Sequence, residues 1–182
     1  GCTDPTALNY DPAATTDDGS CVYPAVAPYC EDFATNSGIF TNGTMGWNYG
    51  STSTPSFGTG PSADADGGIG FMFVEASTPN YPNVGPFELT VNMDLSSLTQ
   101  PAILFDYHMY GSGVVGAMGT LEVIVDGTVL WSMSDDQGDM WHSAVVSLAG
   151  YTGSVDVTFS GVTGTSYEGD MSIDNVCFDE DP

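Results

Sequence analysis

Asp126-Gly127 stands between two runs of β-forming residues, and no other dipeptide limits the fold of this chain as tightly. Before it, Leu121, Val123 and Val125 alternate with other residues; after it come Val129, Leu130 and Trp131. A two-residue type I′ turn needs positive φ at both central positions, which Asp-Gly adopts at little steric cost. The spacing predicts a β-hairpin, and residues 103–141 around it become the middle of an all-β domain.

The same signals recur along the chain. Strands are expected at Gly70–Glu75, Phe87–Met93, Ala102–Tyr110, Trp141–Leu148, Val155–Phe159 and Met171–Phe178, separated by Gly-, Pro- and Asn-rich loops. Val155, Val157 and Phe159 should face one way. About nine or ten short strands with no amphipathic helix argue a β-sandwich. Asn42-Gly43 marks a turn and begins the sequon Asn42-Gly43-Thr44.

The charge pattern decides which partners are excluded. The 182 residues carry 24 Asp and Glu, two His, and no Lys or Arg, a formal net charge of −24. No carboxylate can pair with a cationic side chain of Lys or Arg; apart from the N-terminal amine, each must face water, accept N–H bonds, or bind a cation. Self-repulsion on this scale is relieved by salt or divalent ions. Phosphate backbones and anionic membranes would be repelled, so neither nucleic-acid binding nor membrane insertion is expected. For most of the acids, solubility is reason enough.

Four cysteines allow three pairings. Cys2 and Cys21 bracket a small polar stretch, and Cys30 and Cys177 bracket the rest, which favours Cys2–Cys21 and Cys30–Cys177. The long loop closed by the second would contribute about 4–5 kcal/mol in the chain-entropy picture. Disulfides, no long apolar run and no basic leader together suggest a mature extracellular or cell-surface segment, its signal removed or upstream.

Residues 1–24 hold few core-formers, so this piece needs a staple or a metal. Asp4, Asn9, Asp11, Asp17 and Asp18 are hard oxygen donors of the kind Ca²⁺ takes, although no EF-hand pattern is present. The run GCTDPTALNYDPAATTDDGSC resembles a short disulfide-closed repeat of secreted bacterial surface proteins, and the resemblance implies calcium binding. Residues 25–29 read as a Pro/Ala linker.

From Cys30 onward the motifs stand in a recognisable order: Asp32-Phe33, Gly60-Pro61-Ser62-Ala63-Asp64, Gly70 to Ser77 ending in Glu75-Ala76-Ser77, Tyr107-His108-Met109-Tyr110-Gly111, and Gly169-Asp170-Met171-Ser172-Ile173-Asp174-Asn175-Val176. Residues 30–182 thereby resemble a MAM domain. The resemblance implies a jelly-roll β-sandwich of two antiparallel sheets, an adhesion or interaction role without catalysis, and a structural cation. It points to Asp32, Asp64, Asp66 and Asp174, with Asn175, as that cation's oxygens, and Ca²⁺ suits them. Three departures touch this set: Ala34, Asp66 and Asn175 stand where the family has Glu, Thr and Asp. First and last strands lying side by side would also fit a Cys30–Cys177 bridge.

His108 inside its motif is expected to be a hydrogen-bonded structural residue and His142 an exposed one. Neither has ligands at zinc spacing. No nucleophile elbow, phosphate loop or zinc-protease motif occurs, and the carboxylates Asp135/Asp136 and Glu168/Asp170 are expected to be solvated. Trp131 and Trp141 fall at core positions of the resemblance. Trp47, Tyr49 and Tyr81 lie in or beside loops and are the candidates for a contact surface. The expected function is a calcium-stabilised adhesion segment of a modular surface protein, its partners other proteins, surface glycans or further copies of itself. The alternatives are a carbohydrate-binding module of a secreted enzyme and a subunit of an extracellular fibre.

Overall fold

The computed structural model describes residues 1–182 and contains strands but no helix. In chain order they are β1 (Ala25–Val26), β2 (Tyr29–Glu31), β3 (Thr41–Asn42), β4 (Asn48–Gly50), β5 (Phe71–Val74), β6 (Phe87–Asp94), β7 (Pro101–Met109), β8 (Gly119–Val125), β9 (Thr128–Ser134), β10 (His142–Ser147), β11 (Ser154–Thr163) and β12 (Met171–Glu180). One sheet runs β1-β6-β11-β8-β9, with β3 also on β6; the other runs β10-β7-β12-β5-β4, with β2 also on β12. All pairings are antiparallel except β1 on β6, which is parallel.

The expected sandwich is present. Alternation along β6 buries Phe87, Leu89, Val91 and Met93, and β11 buries Val155, Val157 and Phe159 from the same side. Opposite them stand Phe105, Tyr107, Ile173 and Phe178 from the second sheet. Phe159 lies edge-on to Phe105 with ring centroids 5.1 Å apart, so the two sheets meet through aromatic contact as well as area.

The Asp126-Gly127 turn joins β8 to β9 with φ of 46° and 79°, positive at both positions. Asp126 also ties the turn to β11: its N–H donates to Asp156 O, and its Oδ1 accepts the Asp156 N–H at 2.8 Å. A Cβ on Gly127 would meet nothing, so backbone conformation alone resists substitution there. Gly127→Val is expected to cost about 1–2 kcal/mol of unfolding free energy in urea titrations, because β-branched residues avoid positive φ.

Residues 25–29, expected as a linker, are extended but built into the sandwich. Ala25 and Val26 pair with Met93 and Asp94, Ala27 is buried, and Tyr29 begins β2. Both expected disulfides are formed, and no cysteine is free. Cys30 and Cys177 are register partners on β2 and β12, which lie side by side.

Candidate functional site

The acids of the first 24 residues act mainly as turn caps. Asp4, Asp11, Asp17 and Asp18 each accept, through Oδ1, the N–H two residues on. Such local side-chain bonds replace secondary structure in a stretch with almost no core. Asn9 clamps the far end, its Nδ2 donating to Ser20 O and its Oδ1 accepting the Val22 N–H. Asp18 Oδ2 also lies 3.0 Å from the Gly1 amine.

Of the five acids and amides expected at the sandwich cation site, Asp174 and Asn175 lie at an irregularity of β12, and the turn that carries Asp64 and Asp66 is tied to it through Ala65. Between Asp174 and Cys177 the pairing of β12 with β7 slips, and Asn175 takes φ of 48° there. Asn is among the few residues that tolerate that conformation. Asp174 is fully buried; its Oδ1 accepts the Asn175 N–H and its Oδ2 the Ala65 N–H at 3.1 Å. Asp64 and Asp66 flank Ala65 and cap the 64–68 turn through Gly68 N–H. Burial pushes the Asp174 carboxyl up to about 7, and the charges of Asp64 and Asp66 push the same way. Asn175 Nδ2 donates to Asp106 Oδ2.

Asp32 is exposed and caps Ala34 N–H; no hydrogen bond ties it to the other four. Taken over the whole chain, no three acids or histidines stand arranged around a common point. What fits a cation is narrower: a buried carboxyl with two acids beside it and no cationic side chain to answer it.

The carboxylate that organises the domain's opening is Glu31, which sequence reasoning passed over in favour of its neighbour. It is buried and accepts the Phe33 N–H, the Ile39 N–H and the Tyr29 hydroxyl, all at 3.1 Å. Gly38 passes so close that a Cβ would strike the Glu31 carboxylate.

Trp47, expected on a contact surface, is instead a core residue at 3% exposure, its indole N–H donating to Phe87 O across the sheet edge. Asn42 holds it there: its Nδ2 donates to Trp47 O and its Oδ1 accepts the Trp47 N–H. Tyr49 and Tyr81 are half-buried. Trp131 is half-buried and caps the edge of the core against Phe105 and Tyr107; Trp141, also half-buried, packs on Phe71 and donates to Ala63 O. His142 is not simply exposed, since it stacks on Tyr107 and bonds Gln137 O.

His108 is buried, its Nε2 3.3 Å from Asp139 Oδ1, and burial holds its pKa below the ordinary value despite that acid. It belongs to a line of polar atoms on the outward face of the second sheet. His108 Nδ1, Ser172 Oγ, Asp170 Oδ2 and Glu75 Oε2 are all shut off from water and have no hydrogen-bond partner. Asp170 had been expected to be solvated and is fully buried; its carboxyl is pushed up to about 7, first by burial and then by the charge of Glu75.

A groove of about 710 Å³ runs between the N-terminal piece and the outward face of the first sheet. One wall offers Leu8, Val22 and Tyr23; the other offers Thr90 opposite Thr158 and Asn92 opposite Asp156. Asn92 Nδ2 donates to Asp156 Oδ1 at 2.7 Å, while Asn92 Oδ1 is buried and unpartnered.

Comparison with known proteins gives one family over most of the chain. The profile described as MAM domain, meprin/A5/mu matches residues 32–182. MAM domain-containing glycosylphosphatidylinositol anchor protein 1 of Gallus gallus is 35% identical over 137 residues, covering 65% of this chain and 13% of that protein. Thyroid hormone-induced protein B of Xenopus laevis is 29% identical over 138 residues, covering 71% of this chain and 19% of that protein. The chain thus matches under a fifth of the length of these curated relatives. Among solved structures, the K1 cleaved adhesin domain of Lys-gingipain from Porphyromonas gingivalis W83 superposes with a TM-score of 0.56 at 13% identity, over 85% of this chain and 98% of that one. An arabinoxylan arabinofuranohydrolase from Bacillus subtilis gives 0.53 at 16% identity, over 93% of this chain and 30% of that one. At these identities the structural likeness speaks for the fold alone.

Proposed function

The chain belongs to the MAM domain family, and on that premise we propose that it is a non-catalytic, extracellular adhesion segment of a larger surface protein, stabilised by Ca²⁺. The observation that carries this reading is the family match over residues 32–182. The closed disulfides suit an oxidising, extracellular setting. A chain with no Lys or Arg is poorly built to hold phosphate or anionic lipid, which leaves proteins, neutral glycans or further copies of the chain as partners.

Calcium enters this proposal as the counter-ion of Asp64, Asp66 and Asp174, with Asn175 and Asp32 as further oxygens pointed to by the family resemblance. The support is a buried carboxyl between two like charges with no side-chain cation nearby. In the first 24 residues the same role is proposed for the exposed Asp11, Asp17 and Asp18 with Asp4 and Asn9; Asp11 and Asp17 keep their second oxygens clear of any N–H or O–H, whereas Asp4 Oδ2 accepts the Tyr23 hydroxyl and Asp18 Oδ2 faces the Gly1 amine.

A glycan reading is favoured by one feature, the groove between the N-terminal piece and the first sheet. An exposed tyrosine ring, an amide–carboxylate pair and two threonines suit the faces and hydroxyls of a neutral sugar. Beads coated with the full chain are expected to cluster, or to attach to beads carrying proteins or neutral glycans, in Ca²⁺-containing buffer. Beads that stay dispersed and unattached across such a panel would contradict the adhesion reading. Sugar binding that survives Tyr23→Ala unchanged would contradict the groove.

A further inference from the structure

Two carboxylates face each other inside this protein with nothing to neutralise them. Along β5 and β12 the register runs Met72–Ile173, Phe73–Ser172, Val74–Met171. One step further it sets Glu75 opposite Asp170, on the outward face that the 51–62 loop covers. Each acid has one oxygen engaged: Glu75 Oε1 accepts the Ser77 N–H at 2.9 Å and the Ser56 hydroxyl at 3.2 Å, and Asp170 Oδ1 accepts the Ala76 N–H at 2.8 Å. The other oxygen of each is buried and bare.

Ser172, two residues along the same face of β12, is also 0% exposed, and its hydroxyl has no partner. The Thr54 hydroxyl donates to Thr59 O at 3.1 Å and also stands within hydrogen-bonding reach of the Asp170 carboxyl, which eases the effect of burial there without offsetting it. Buried charges in native proteins are paired, protonated or bound to a metal; the chain has no Lys or Arg to pair with, and His108 on the same face, register partner of Ser172, faces Asp139 and is held toward its neutral form by burial.

We propose that Glu75, Asp170 and Ser172 form an interior Ca²⁺ site, separate from the surface acids and independent of the adhesion reading. Two carboxylates are neutralised by one divalent cation. Their free oxygens and the serine hydroxyl are hard donors, as Ca²⁺ prefers, and neighbouring carbonyl oxygens can complete its flexible shell. Mg²⁺ is a poor candidate, because it gives up its water reluctantly and these oxygens are shut off from water. Zn²⁺ is poorer still, since no third acid, His or Cys converges.

The site's consequence is a fixed loop. Glu75 holds Ser56, the Asp170 N–H donates to Thr59 Oγ1, and Thr59 in turn donates to Tyr110 O. An ion between the two acids therefore locks the 51–62 loop onto the sheet. That loop carries Phe57, 94% exposed, so the ion sets how an apolar tip is presented.

Two measurements on the full chain test this. With Eu³⁺ as a probe for Ca²⁺, wild type is expected to show one luminescence class whose decay reports almost no bound water. Glu75→Gln and Ser172→Ala are expected to remove or weaken that class, and Glu75→Gln to lower Ca²⁺ affinity there about a hundredfold or more. Asp64→Asn and Asp174→Asn are expected to leave it in place. If Glu75→Gln fails to fold, the wild-type decay still decides. Only fully hydrated Eu³⁺ in wild type, or an unchanged Ca²⁺ count and affinity in Glu75→Gln, overturns the site. So does a melting temperature that falls from pH 6 to pH 8 identically in Ca²⁺ and in chelator, which would put a proton between the acids.

Discussion

Replacing Cys30 and Cys177 together by Ala is expected to lower the unfolding free energy by about 3–5 kcal/mol. The bridge spans 147 residues, almost the whole sandwich, so its loss frees a long loop in the unfolded chain. The native side loses as well, because β2 is only three residues long and is held to β12 at the bridged pair itself. β2 ends in Glu31, whose carboxylate organises the 33–39 turn, so fraying there exposes that cluster too. Urea unfolding followed by far-UV circular dichroism reads the change directly. Cys2→Ala/Cys21→Ala should behave differently: its loop spans 19 residues of a piece with little core, and the transition of the sandwich should move far less.

The second large effect is on pH. In the absence of divalent cations the protein is expected to lose stability steadily from pH 5 to pH 7, with little further loss by pH 8. Asp170 and Asp174 have carboxyls pushed from 3.8 up to about 7, so between those values the folded chain holds protons that the unfolded chain releases. Stability from such groups is fully present below the unfolded value and lost as pH rises through the folded one. Each displacement corresponds to about 4 kcal/mol, at roughly 1.4 kcal/mol per unit. His108 adds an opposing slope only at the acid end, because its lowered pKa favours the neutral ring when folded. Unfolding free energies at pH 5, 6 and 7 in chelator should therefore descend, with little further change at pH 8. Saturating Ca²⁺ should flatten the descent by replacing the lost protons.

The parts of this fold that were legible in the sequence are those whose signal is local or periodic. Asp126-Gly127 gave both its turn and its sign of φ, and Val155, Val157 and Phe159 gave a buried face, because both patterns span only a few residues. The short strands β1 to β4 carried no such period; two or three residues long, they exist because longer strands offer them an edge. Trp47 looked exposed because its neighbours Gly46, Asn48 and Gly50 are turn-like, whereas its burial depends on a carbonyl 40 residues away.

The candidate sites divide in the same way. The turn-capping acids of the first 24 residues could be read as oxygen donors from spacing alone, though not as caps. The family motifs pointed to Asp64, Asp66 and Asp174; the charges of the first two act on the third, although the three are not arranged around one point. Glu31 was hidden behind Asp32, and the facing of Glu75 and Asp170 depends on strand register, which spacing does not encode. Like-charge pairs of that sort become visible only when the two strands are laid side by side.

The central claim is that a fold built without one Lys or Arg depends on cations supplied from outside for its interior acids. The most direct measurement is calorimetric unfolding at pH 8, starting in chelator and titrating Ca²⁺ against Na⁺ matched for ionic strength. Specific sites predict a melting temperature that keeps rising with the logarithm of free Ca²⁺, well beyond the rise given by Na⁺. Equal melting temperatures in Ca²⁺ and matched Na⁺ would mean that screening alone is at work, and would contradict the claim.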